Sequence, residues 1–233
     1  MGKLVLVPGP VGNLGDITLR ALEVLKTAAC VLAEDTRTTG YLLKHFNIAA
    51  PLKPFHQHNE HKVLDAVLQQ IRNSEVTVLM SDAGTPGISD PGFLLVRACI
   101  EVGLEVECLP GPTALIPALV LSGFPSDRFI FEGFLPHKKG RQTRLREIAA
   151  HDCTAILYES PHRLVRLLEE ICSIAGPERL VAVVREISKV HEECRRGTVE
   201  KVAGHYKTAG VKGEVVVVLA AASYSLDAGS PKK

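Results

Sequence analysis

The chain has 233 residues, 46% of them hydrophobic and 23% charged, with a net charge of +1. That composition excludes a disordered chain, and a near-zero balance excludes a molecule-wide basic field, so any nucleic-acid contact must be a local patch. No apolar run is long enough to span a bilayer, and MGKLVLVPGPVG lacks a signal-peptide core, so a cytoplasmic protein with no membrane partner is expected.

KLVLV (3–7) is short, β-branched and apolar, the pattern of a buried strand. The Gly/Pro/Asn loop PGPVGNLGD (8–16) follows, then a helical pattern over 17–28 with Asp16 placed to cap it. CVLAED (30–35) reads as a second strand, and TRTTGYLLKHF (36–46) and HKVLDAVLQQIRN (61–73) as helices. VTVLM (76–80) is a third strand, opening into SDAGTPGISDPG (81–92) and a helix, FLLVRACIEVGL. LEVECLP (104–110) and PTALIPALVLSG (112–123) complete a βα alternation that predicts a parallel α/β sheet.

The pattern changes near Gly123–Asp127. The expected division is an N-terminal domain at 1–123 and a smaller C-terminal domain at 124–233. The second series is FIFEGFL (129–135), a basic helix, TAILYES (154–160), a helix from Pro161, RLVAVVRE (179–186) and EVVVVLAAA (214–222), with more antiparallel pairing. DAGSPKK (227–233) reads as a frayed tail. Six cysteines without CxxC spacing read as reduced core residues.

Three loops fall at strand C-termini, the edge where open α/β sheets bind ligands. None is a dinucleotide or P-loop motif: GxGxxG is absent, Pro10 interrupts the first loop, and there is no GKS or GKT. Gly84 and Gly87 permit close approach, Pro86 and Pro91 stiffen the backbone, and Asp82 and Asp90 supply acceptors. No Lys or Arg lies in these loops. Adenosine carrying an amino-acid arm fits them better than a polyphosphate; ordinary tight turns remain the other reading.

VPGPVGNLGDITLRALEVL, AEDTR, SDAGTPGISDPG, LPGPTA, FEGFLP and LYESPHR, in that order, resemble the bacterial methyltransferases of a cytidine ribose 2′-hydroxyl in small-subunit ribosomal RNA. These belong to the tetrapyrrole methylase-like superfamily. The likeness runs from about Lys3 to Ala222; Gly9 stands where the first loop is expected to carry Thr. The resemblance implies two α/β domains with S-adenosylmethionine in the cleft between them, and a homodimer. It implies cofactor contacts from Pro10, Ala83, Gly84, Thr85, Ile88, Thr113 and Ala114, with Asp82 beside them. In the second domain it implies Tyr158, Glu159 and Ile187.

Methyl transfer to a ribose hydroxyl needs in-line placement and a proton acceptor, and no metal. Glu34, Asp35 and Arg37 close the second strand at the ligand edge and are the candidate catalytic group. The competing reading of Asp35 is a helix cap paired with Arg37, and Asp82 is the rival base. His56, His58 and His61 have metal-like spacing without a fourth ligand and read as a solvated or RNA-facing loop.

PHKKGRQTRLRE (136–147) sets Lys138, Lys139, Arg141, Arg144 and Arg146 against Glu147 alone. Such concentration in a nearly neutral chain points to phosphate contact, with Phe134 and His137 placed to stack on a base and Arg163 a further candidate. A solvated basic helix is the plainer reading. A tetrapyrrole carbon methyltransferase and a non-catalytic RNA-binding assembly factor are the alternatives for the whole chain.

Overall fold

A computed structural model describes residues 2–225; the tail expected at 227–233 lies outside the described residues. The chain divides into Met1–Thr113 and Ala114–Lys233. The first unit holds β1 (Lys3–Leu6), α1 (Leu19–Thr27), β2 (Cys30–Ala33), α2 (Thr36–His45), β3 (Leu52–Pro54), α3 (Glu60–Arg72), β4 (Val76–Met80), α4 (Phe93–Glu101) and β5 (Glu105–Cys108). Its strands run in the order β3-β2-β4-β1-β5, every pair parallel. β1 and β2 are buried nearly throughout, as expected for parallel strands covered by helices on both faces.

The second unit holds α5 (Leu115–Ser122), β6 (Phe129–Phe134), α6 (Arg141–Ala150), β7 (Thr154–Glu159), α7 (Pro161–Ala175), β8 (Leu180–Arg185), β9 (Glu193–Thr198), α8 (Val199–Ala209) and β10 (Val215–Leu219). The order is β6-β7-β10-β8-β9, with β6/β7 parallel and the other pairs antiparallel. β10 reaches the middle although it comes last, because VVVVL has no polar side chain to solvate. α7 buries Leu164, Leu167, Leu168 and Ile171, one stripe at helical spacing, against this sheet. Each such side chain stabilises the unit by about 1.5–3 kcal/mol.

Several boundaries differ from the sequence reading. α5 groups with the second unit, because its apolar faces pack on β8 and β10. Thr18, not Asp16, caps α1: its Oγ1 accepts the Ala21 N–H at 3.1 Å, while Asp16 ends a short 3-10 turn over Leu14–Asp16. Of the six cysteines only Cys30 and Cys99 are buried, Cys108 is exposed, and all six are free thiols. Among the described residues, no helix is long and apolar enough to cross a membrane.

Candidate functional site

In the first unit the strand order brings the loops after β1, β4 and β5 side by side. The first two are joined by a reciprocal pair: Gly9 N–H donates to the Gly84 carbonyl at 2.8 Å, and Gly84 N–H to the Gly9 carbonyl at 3.0 Å. Gly84 stands at φ +73°, a left-handed conformation costly to other residues. A β-carbon there would lie 3.6 Å from Val11 of the first loop and 3.8 Å from the Pro112 carbonyl of the third. The Thr85 hydroxyl donates to that carbonyl at 3.3 Å. Gly111 and Pro8 close so tightly that a β-carbon on Gly111 would meet the proline ring at 2.7 Å.

The three loops are therefore one cross-tied rim. Pro10, Ala83, Thr85 and Thr113 are partly exposed along it and Ile88 is exposed, while Gly84 is buried between the loops. Preformed backbone of this kind loses little entropy when it receives a ligand. The lack of cationic side chains suits an uncharged nucleoside rather than phosphates. Ala114 is the residue before α5, at φ −77° and ψ −30°.

Beside this rim the loops after β2 and β4 clasp each other. Asp35 N–H donates to Asp82 Oδ1 at 3.0 Å, and Asp82 N–H to Glu34 Oε2 at 3.3 Å. Glu34, Asp82 and Asp90 are thereby gathered at one corner and interact electrostatically. Burial raises the Glu34 carboxyl, opposed by the Asp82 N–H it accepts and reinforced by the Asp82 charge. Burial also raises Asp82, opposed by the Asp35 N–H and reinforced by the Asp35 charge. Asp90 moves furthest: burial pushes it up to about 7, with Glu34 adding to the rise, a Ser81 hydroxyl opposing it, and Asp82 adding again.

Asp35 behaves differently. Its Oδ1 accepts the Arg37 N–H at 2.8 Å as the cap of α2, and its carboxylate forms a fork with the Arg37 guanidinium, closest contact 2.6 Å. Those bonds hold it down at about 2. A carboxylate so stabilised is a weak proton acceptor at neutral pH. The sequence reading put Glu34 and Asp35 forward as bases and counted Asp90 only as an acceptor; the burial of Asp90 and the approach of Glu34 from another segment are products of the fold.

His56 and His58 approach at 5.9 Å between ring centroids, and among the described residues no group of three or more His, Cys, Asp or Glu could hold a metal ion. The His56 Nδ1 is buried without a partner.

In the second unit β7 and β8 both run antiparallel to β10, so their C-terminal ends share an edge. Tyr158, Glu159 and Ile187 are thus gathered there. Glu159 is 2% exposed and its side chain is fully engaged: Oε1 accepts from Ser160 N–H (2.8 Å) and Arg163 Nε–H (2.7 Å), and Oε2 accepts from both terminal nitrogens of Arg141 (3.3 and 3.2 Å). Ile187 is buried between two residues of positive φ, Glu186 (54°) and Ser188 (65°).

The basic segment needs correction. Arg141 is 1% exposed; it is a buried ion-pair centre linking Glu159 and Glu170 and does not reach solvent phosphate. Arg144 forks onto Glu132 and also meets Glu147. Arg163 is divided between Glu159 and the His137 ring. Lys138, Lys139 and Arg146 are exposed and, among the described residues, make no ion pair. The accessible charge is smaller than the sequence count and is centred on the loop before α6.

The family of Tetrapyrrole (Corrin/Porphyrin) Methylases matches residues 3–203, which places these two α/β units in the tetrapyrrole methylase class. A solved uroporphyrin-III C-methyltransferase from Thermus thermophilus, complexed with S-adenosyl homocysteine, shares the fold. It matches at TM-score 0.67 and 22% identity, over 95% of this chain and 98% of that one. The Ribosomal RNA small subunit methyltransferase I of Synechocystis sp. is 47% identical over 96% of this chain and 80% of its own length. That of Thermotoga maritima is 43% identical over 94% and 98%. The chain belongs to the ribosomal RNA small subunit methyltransferase I family.

Proposed function

We propose that the chain transfers the methyl group of S-adenosylmethionine to the ribose 2′-hydroxyl of a cytidine in small-subunit ribosomal RNA. The observation that carries this is the 47% and 43% identity, over more than nine-tenths of the chain, to relatives named for small-subunit rRNA methylation. The likeness to the porphyrin enzyme is of fold, at 22% identity, and does not favour a tetrapyrrole substrate.

S-adenosylmethionine supplies an electrophilic methyl on a sulfonium. Pro10, the 82–88 loop with Ala83, Gly84, Thr85 and Ile88, and Thr113 would seat its adenosyl part on the rim of the first unit. The transfer requires that water be excluded and the hydroxyl be held in line. As the oxygen attacks, its proton must leave. The acceptor is the corner of Glu34, Asp82 and Asp90, and Asp90, at about 7, is the member matched to neutral pH. Asp35 fixes α2 and presents Arg37, whose side chain is 90% exposed, to the RNA backbone. Lys138, Lys139 and Arg146 add phosphate contacts. The protein acts in the cytoplasm as a homodimer.

Methyl transfer from radiolabelled S-adenosylmethionine to whole small subunits and to naked small-subunit rRNA tests the reading, followed by mapping of the label. The expected result is one cytidine labelled on the ribose oxygen. Label on a base, or incorporation only into a porphyrin precursor, overturns it.

A further inference from the structure

β6 contains an irregularity with a use. Phe129, Ile130 and Phe131 pair with Thr154, Ala155 and Ile156; the register then shifts, and Gly133 and Phe134 pair with Leu157 and Tyr158. Glu132 is the extra residue. Residues three apart in a regular strand project to opposite faces, so Phe131 and Phe134 would be separated. The bulge cancels that. Phe131 meets the Tyr158 ring at 5.0 Å and 71°, and Phe134 meets the same ring at 5.6 Å and 62°.

The bulge is held from both sides. Arg144 forks onto Glu132 through two bonds of 2.8 and 3.0 Å. Gly133 takes φ +60°. Ile130 packs towards the core cluster under α6–α8, as do Ala155 and Leu157 of β7, so the aromatic row lies on the other face of the sheet. Phe134 ends that row 53% exposed. Bulges that re-aim a side chain are characteristic of sites.

Phe134 is followed by buried Leu135, which anchors the next loop, and then by exposed Lys138 and Lys139. The loop is held further by Arg163 against His137 and by Arg141, the residue that starts α6, in its buried ion pairs. An apolar ring face with fixed neighbours and two unpaired cations within five residues is the makeup of a single-strand nucleic-acid platform.

We propose that Phe134, backed by Tyr158, is a stacking platform for an unpaired RNA base, with Lys138 and Lys139 on the flanking phosphates. This rests on the RNA methyl-transfer reading above and adds the form of the substrate: a loop or strand whose bases are splayed out, not a duplex. A second copy of the chain is a poorer occupant. Across a two-fold axis the same patch meets itself, which would bring the unpaired lysines towards their own copies.

The test uses the full chain, a fluorescently labelled single-stranded 12-mer oligoribonucleotide, and the same strand in a duplex, read by anisotropy. Wild type should bind the single strand more tightly. Phe134→Leu keeps the apolar volume and removes the ring; it should weaken single-strand binding about tenfold and leave duplex binding unchanged, and Phe134→Trp should restore it. Equal binding of both probes by wild type, or an unaltered single-strand affinity in Phe134→Leu, overturns the proposal. So does a change in sedimentation of Phe134→Leu without a change in RNA affinity, which would make this face a protein interface. If wild type methylates small-subunit rRNA while Phe134→Leu keeps its KM for that RNA, the platform fails and the enzymatic reading stands. If wild type transfers no methyl group but the oligonucleotide series behaves as expected, the enzymatic reading fails and the platform stands.

Discussion

Replacing Asp90 with Asn should stabilise the protein and disable it, in a pH-dependent way. The folded carboxyl sits at about 7 against an ordinary 3.8, so the native state holds this proton more tightly than the unfolded chain. A group raised in this sense contributes stability that is present below its unfolded value and lost as pH rises through about 7. At about 1.4 kcal/mol per pH unit the full displacement is worth about 4 kcal/mol. Asp90 is partly exposed, and solvent screening reduces this to about 2 kcal/mol. Asn keeps the acceptor oxygen towards Ser81 and carries no charge to desolvate. Relative to wild type, the variant should therefore melt about 4–8 °C higher at pH 8, with a much smaller difference near pH 4. Turnover should fall about 100-fold or more while S-adenosylmethionine affinity holds, and the wild-type rate should climb as pH rises through about 7. Thermal melts at the two pH values and single-turnover methyl transfer read both halves. Identical melting differences at pH 4 and pH 8, or undiminished turnover, would refute the assignment.

Other perturbations separate the remaining roles. Glu34→Gln removes a like charge from beside Asp90, so the midpoint of the pH–rate profile should move to lower pH; a profile that stays in place would detach the two residues. Gly84→Ala puts a side chain at φ +73° and should cost about 1 kcal/mol or more in urea denaturation and loosen cofactor binding measured by calorimetry. Arg141→Met leaves Glu159 and Glu170 buried without their shared partner and should cost about 3–5 kcal/mol, whereas Lys138→Ala should change stability by less than about 0.5 kcal/mol. Neutralising Lys138 and Lys139 together should weaken RNA binding and reduce the salt slope by about 1.4, the contribution of two phosphate contacts on a single strand.

The parallel first sheet was legible because β1 and β4 are apolar runs, each followed by a loop rich in Gly and Pro and then a helical pattern. β3 was missed: LKP is three residues long and is recruited by its neighbour, with Phe55 N–H donating to the Ala33 carbonyl at 2.7 Å. β9 was missed because ECRRGT is polar, as suits the outer strand beside β8. Within the site, the rim was visible in its residue types and the Asp35 cap in its position before a helix. The fate of the arginines was not. Arg141 looks like its neighbours in sequence, and only the approach of Glu159 from β7 and Glu170 from α7, 18 and 29 residues on, withdraws it from solvent. The elevated Asp90 depends likewise on the fold: on burial first, and then on the Glu34 charge delivered by another segment.

The reciprocal pair of hydrogen bonds between Gly9 and Gly84 has a kinetic corollary. Two turns that belong to no regular element are fastened to β1 and β4 at the centre of their sheet, so one cannot swing away without disturbing the other. Their amides should exchange with deuterium as slowly as neighbouring strand amides rather than at the pace of surface turns. A molecule entering this edge thus meets a surface already set, and its arrival rate should report diffusion and desolvation rather than a wait for the protein to rearrange.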